Sequence, residues 1–158
     1  MQGRPGRGDS PQDAAKRRHN TLMVERVTFR GNVAIYGGNG VANFGTAVVT
    51  NSTFSNGCVV EAGPAVSGVM SLRGAATITN SSFYEGGDCP QIGVASGTVT
   101  LKNTLLKGNP AGFPNCSIFT GGGYLDGGGN LSNDNTCPPV YHNLDPGFGP
   151  LANNGGPT

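Results

Sequence analysis

The chain has 158 residues, a formal net charge of +1, only 12% charged side chains, 28 Gly and 11 Pro. That length holds one ordinary domain, and no apolar run approaches the ~18–20 residues of a membrane-spanning helix. Gly, Asn, Ser and Thr fill 67 positions. Glycine costs about 1 kcal/mol against alanine inside a helix, and Asn, Ser and Thr compete for its backbone hydrogen bonds, so helical bundles, coiled coils and helix-rich α/β enzymes are excluded.

The charge is unevenly placed. Residues 1–30 carry seven Arg or Lys against three acids, and the remaining 128 carry three bases against six acids. The basic part, residues 1–19, has no hydrophobic period, so a disordered leader is expected. It lacks the apolar stretch of a secretory signal. Its short basic run, Lys16-Arg17-Arg18-His19, has no interleaved aromatics, and no nucleic-acid partner is expected. Gly6-Arg7-Gly8-Asp9-Ser10-Pro11 reads like the integrin-binding loop of fibronectin, but Gly- and Arg-rich tails produce Arg-Gly-Asp often by chance.

From residue 20 the chain repeats. Thr21–Phe29, Thr46–Phe54, Ala75–Phe83 and Thr98–Leu106 align on one frame, with an anchor column Phe29, Phe54, Phe83, Leu106. Two further columns are small or apolar: Leu22, Ala47, Ala76, Val99 and Val24, Val49, Ile78, Leu101. The position after them is polar, which is the period-two alternation of a strand. The next column is Arg26, Asn51, Asn80, Asn103; asparagine tolerates left-handed geometry, so Asn51, Asn80 and Asn103 are read as a bend in each rung. Gly and Asn close each segment. Spacings of 25, 29 and 23 residues between anchors fit a solenoid whose repeats bury a core only by stacking. The predicted fold is all-β: a right-handed parallel β-helix of about four rungs over residues 20–115. A Gly/Asn-rich exit segment over 116–158 follows.

Three stretches carry a family resemblance. They are Asn51-Ser-Thr-Phe-Ser-Asn56, Val33-Ala-Ile-Tyr36 followed by Gly and Asn, and Thr98-Val-Thr-Leu-Lys-Asn-Thr104. Together with Gly127-Gly-Gly-Asn130-Leu131 and the terminal Asp145–Thr158, they resemble bacterial β-helix surface proteins with polymorphic-outer-membrane-protein-like repeats and a choice-of-anchor region. The resemblance spans roughly residues 20–158. It implies a secreted, cell-surface or outer-membrane location, an adhesin-like or structural role, a glycan or host surface as partner, and neighbouring rungs in a longer parent chain.

The four cysteines, Cys58, Cys89, Cys116 and Cys137, include no Cys-x-x-Cys pair, so zinc and thioredoxin-type readings are weak. An even count in an extracellular setting favours disulfides, with three connectivities open. Cys116–Cys137 would close the Gly-rich loop after the last regular rung, and the family resemblance supports that pair. Cys58 and Cys89 follow their anchors on neighbouring rungs; a second bridge or two buried thiols fit equally.

Many parallel β-helices are polysaccharide lyases or hydrolases, so the alternative is an enzyme. Paired carboxylates about 5–9.5 Å apart would be needed for glycoside hydrolysis. Glu61, Glu85 and Asp88 are the candidates, since they follow anchors on adjacent rungs, with Lys107 on the next rung as the nearest base. Asp126, Asn130, Asn133 and Asp134 offer oxygens in a Gly-rich loop, but they match neither the EF-hand nor the nonapeptide calcium pattern. No metal or cofactor is expected. His19 and His142 lie outside the repeat, and the Asn-x-Ser/Thr sequences at Asn51, Asn80, Asn115 and Asn130 fall in or near turns. The sequence thus favours a non-catalytic surface passenger.

Overall fold

A computed structural model describes residues 20–34, 37–58, 65–108, 112–137 and 144–147. The leader with Arg7-Gly8-Asp9, together with Glu61 and both histidines, lies outside the described residues. Sixteen strands and no helix make up the described part, as the composition predicts.

The strands stack as a solenoid. The first rung holds β1 (Thr21–Glu25), β2 (Thr28–Arg30), β3 (Gly37–Gly38) and β4 (Val41–Asn43). The second holds β5 (Thr46–Thr50), β6 (Thr53–Ser55), β7 (Ala65–Val66) and β8 (Val69–Ser71). The third holds β9 (Ala75–Thr79), β10 (Ser82–Tyr84) and β11 (Ile92–Val94), and the fourth β12 (Thr98–Lys102), β13 (Leu105–Lys107) and β14 (Cys116–Ile118). A partial fifth rung contributes β15 (Gly123–Asp126) and β16 (Leu131–Ser132), so the sheets continue beyond residue 115 into the segment expected as a loop-rich exit.

Three parallel sheets run up the solenoid. Sheet A is β1-β5-β9-β12-β15, sheet B is β2-β6-β10-β13-β16, β3 and β7 form the small sheet C, and sheet D is β4-β8-β11-β14. Register within sheet A is one to one. Leu22 faces Ala47, which faces Ala76, which faces Val99. Val24, Val49, Ile78 and Leu101 form the second inward column. In sheet B, Phe29, Phe54, Phe83 and Leu106 are in register. The rings of Phe29, Phe54 and Phe83 stack nearly parallel, with centroids 4.8 and 4.6 Å apart. That spacing is the ~4.8 Å step from strand to strand, which forces like side chains into contact. Val41, Val69, Ile92 and Cys116 close the core from sheet D.

The corner between sheets A and B is a left-handed bend. Arg26, Asn51, Asn80 and Asn103 have φ of 56°, 52°, 50° and 49°, and their N–H groups bond the carbonyls of Thr50, Thr79, Lys102 and Gly128 on the next rung. Asn80 Nδ2 donates to Asn51 Oδ1 at 3.4 Å, and Asn103 Nδ2 to Asn80 Oδ1 at 3.1 Å. One residue inside the bend runs a second, buried ladder. Ser52 Oγ accepts from Val27 N–H, Ser81 Oγ from Ser52 N–H, and Asn130 Oδ1 from Thr104 N–H. Ser52, Ser81 and Thr104 also donate to carbonyls two residues back. The backbone donors of Val27, Ser52 and Thr104 at the turn are thereby satisfied without water.

The return corner into sheet A is a glycine column: Gly45, Gly74, Gly97 and Gly122. Gly97 has φ +105°, and a Cβ there would stand 1.9 Å from the carbonyl oxygen of Gly74. Rungs close tightly here because the side chain is missing.

Both disulfides are formed. Cys58–Cys89 joins the turns after sheet B on the second and third rungs, and Cys116–Cys137 ties β14 to the segment beyond β16. The Cα–Cα distances are 5.9 and 4.9 Å, inside the range a bridge requires.

Candidate functional site

Two surfaces carry chemistry. The first is the corner after sheet B, where Glu85 follows β10. Glu85 has φ 45°, and its N–H bonds Lys107 O on the rung above. It takes the bend position that Asn56 and Gly31 hold on the rungs below, at φ 49° and 64°. A glutamate held there costs backbone strain of order 1–3 kcal/mol. Its carboxylate accepts a 2.6 Å hydrogen bond from Tyr84 Oη. That bond, together with burial of the ring and the charges of Glu85 and Asp145, raises the tyrosine pKa above its ordinary value. Glu85 also lines an open hollow of about 400 Å³ with Asn56, Cys58 and Gly87.

One rung up, Lys107 Nζ pairs with Asp145 at 2.9 Å. Asp145 is placed there by its neighbour: Leu144 N–H bonds Ser132 O at the end of sheet B. The Gly147 N–H and then Lys107 hold the Asp145 carboxyl below its usual value. The structure therefore gathers Tyr84, Glu85, Lys107 and Asp145 around the outside of sheet B. Of the three carboxylates singled out in the sequence, Glu85 belongs to this group. Asp88 is exposed on the same turn. Glu61 lies outside the described residues. Tyr84 and Asp145 were not among the sequence candidates. Tyr84 is marked only by its place next to an anchor, and Asp145 sits in a segment whose path no repeat pattern sets.

The Gly-rich loop uses its oxygens internally. Asp126 Oδ1 accepts from Gly128 N–H and Asn130 Nδ2 at 2.8 and 2.6 Å. Asn130 is buried, and its Oδ1 is taken by Thr104 N–H. Asn133 Oδ1 accepts from Gly108 N–H and Asn115 Nδ2. Asp134 accepts from Asn115 N–H, Ser132 Oγ and both donors of Thr136. These four residues cap the upper end of the solenoid and anchor the strand that carries Cys116. Burial of Asn115 and Asn130 leaves neither side chain open to modification in the folded chain.

The second surface is the outer face of sheet A. The outward positions of its three central strands are Thr46, Val48, Thr50; Ala75, Thr77, Thr79; and Thr98, Thr100, Lys102. Six of the nine are threonine and one is charged. Strand spacing of ~4.8 Å and a two-residue step of ~6.6–6.8 Å place these hydroxyls on a regular grid.

Comparison with protein-family models, with curated proteins and with solved structures finds no significant match to the chain.

Proposed function

We propose that the chain is a structural and adhesive module of an extracellular or cell-surface β-helix, and that the outer face of sheet A is its contact surface for an extended, uncharged ligand such as a glycan. The observation that carries this reading is the threonine grid. Each threonine offers a hydroxyl that both donates and accepts, at intervals set by the backbone. A polymer with repeating hydroxyls meets repeating partners, and neither side has a charge to desolvate at most positions. Two disulfides support an oxidising compartment, and the repeat motifs resemble those of bacterial surface passengers. The test is binding to a panel of neutral polysaccharides, by co-sedimentation and calorimetry, for the natural chain and the Thr77→Lys, Thr100→Lys double variant. Binding lost in the variant is the expected result. Binding to no polymer, or binding that the variant leaves unchanged, overturns the reading.

The competing reading is a polysaccharide-cleaving β-helix, favoured by one observation: Glu85 is held in a strained bend against Tyr84. It requires release of new chain ends from a polymer, lost in Glu85→Gln. Polymer left intact by the natural chain removes it.

A further inference from the structure

The two ends of the solenoid are built differently. At the upper end, the inward columns stop on polar groups. Tyr124 follows Val99, and Asp126 follows Leu101. An inward-pointing charge is a standard block to strand addition. Sheet B is covered there by residue 144, and sheet D by the Thr136 hydroxyl on Cys116 N–H.

Among the described residues, the lower end shows no such cover. The outer edge of β1 pairs with no described strand. Leu22 belongs to a core column that is otherwise buried at Ala47, Ala76 and Val99, yet it is 43% exposed; Met23 is 74% and Val27 37% exposed. The sequence of residues 1–19 lacks the alternation that a rung requires.

The hydrogen-bonding edge of β1 can be read residue by residue. Arg26 N–H bonds Thr50 O, and Asn20 O accepts from Thr46 N–H, so even-numbered residues face β5. In a parallel pair the N–H and C=O of one residue point the same way and alternate along the strand. Thr21, Met23 and Glu25 therefore turn their backbone groups outward.

We propose that two copies of this chain join lower end to lower end, through antiparallel pairing of β1 with β1 about a two-fold axis at Met23. In that register every outward-facing residue meets another: Met23 meets Met23 of the second copy, and Thr21 meets Glu25 of the second copy. On the core side Leu22 meets Val24 of the second copy, so the apolar columns run on across the junction as they do between rungs. An isologous contact closes on itself.

The test is the mass of the full chain in solution by light scattering and sedimentation, over a wide concentration range. The expected result is a species of twice 16.0 kDa that dissociates on dilution. Met23→Pro removes only an N–H that faces away from β5, so the fold accepts it. It should weaken the dimer about 30-fold or more, since the junction loses a hydrogen bond on each copy. Leu22→Lys puts a charge into the junction and should do the same with unchanged circular dichroism. Leu125→Lys, on the upper end, should leave the mass unaltered. A concentration-independent monomer, a dimer that survives Leu22→Lys, or one dissolved by Leu125→Lys overturns the proposal, as does growth into long oligomers.

Discussion

The ring of Phe83 leaves no room for a side chain at Gly68. A Cβ built there would stand 2.5 Å from the ring's Cε1 and 2.7 Å from the carbonyl oxygen of Gln91. The same relationship recurs one rung down, where Gly40 lies against Phe54. Large rings in one wall are thus matched by glycines in the facing wall. Gly68→Ala should destabilise the fold by about 2 kcal/mol, within the range for overpacked cores. Thermal and urea melts measure it. A loss under half that value would show that the phenyl column shifts freely.

The bend geometry gives a second test at Asn80, whose φ is 50°. Asn80→Ala should cost about 1 kcal/mol, because alanine pays for left-handed backbone that asparagine tolerates. Asn80→Gly should be close to neutral. Equal losses for both would place the energy in the exposed amide ladder to Asn51 and Asn103 rather than in the backbone.

Ser81 offers a third. Its hydroxyl is the acceptor for the Ser52 N–H inside the protein. Ser81→Ala removes that acceptor and leaves a buried donor unpaired, at a cost of about 1–3 kcal/mol. Hydrogen exchange at Ser52 should rise with the loss; exchange unchanged from the natural chain would mean that another acceptor takes over.

The bridges span 31 and 21 residues, and loop-closure entropy assigns about 3–4 kcal/mol to each. Reduction of both should therefore lower the melting temperature by many degrees. Replacing Cys116 and Cys137 together by Ala should do more harm than the loop term alone, because both side chains sit in the core and leave space behind. Separate melts of the two paired variants measure each term.

The Lys107–Asp145 pair responds to acid. The folded-state pKa of Asp145 is lowered from 3.8. A depressed carboxyl contributes stability that is present above its unfolded value and lost as pH falls through its folded value. The exit segment should stay docked at neutral pH and loosen only below the usual carboxylate range. An NMR titration of the Asp145 carboxyl checks this. A midpoint at or above 3.8 would mean that the Gly147 N–H and Lys107 do not hold it.

Much of the architecture was legible because stacking makes each rung repeat the same choices. The columns headed by Leu22, Val24 and Phe29, and the bend at Asn51, Asn80 and Asn103, are visible as spacings alone. Of the three open pairings, Cys116–Cys137 is favoured by its place closing the loop after the last regular rung and by the family resemblance. Cys58–Cys89 was left open, since proximity in a turn of variable length depends on how that turn folds. The glycines at 45, 74, 97 and 122 precede the sheet A strands after β1 by one residue, yet nothing in composition sets them apart from 24 others. The Lys107–Asp145 contact was out of reach of any repeat argument, because 38 residues separate its partners and Asp145 lies outside the repeat frame. Glu85 was visible as an acid near an anchor; its left-handed backbone and its bond to Tyr84 were not.

The Cys58–Cys89 bridge ties one rung to the next at the same corner. Its consequence is mechanical. A load drawing the chain out along the solenoid would strip the first rung by breaking one strand contact after another. The residues between Cys58 and Cys89 would then stay shut, because a covalent bond, not hydrogen bonds, carries the tension past them. Oxidation state thus sets how much slack the protein can release, and the oxidised chain yields in short, bounded steps where the reduced one would run out to nearly its full length.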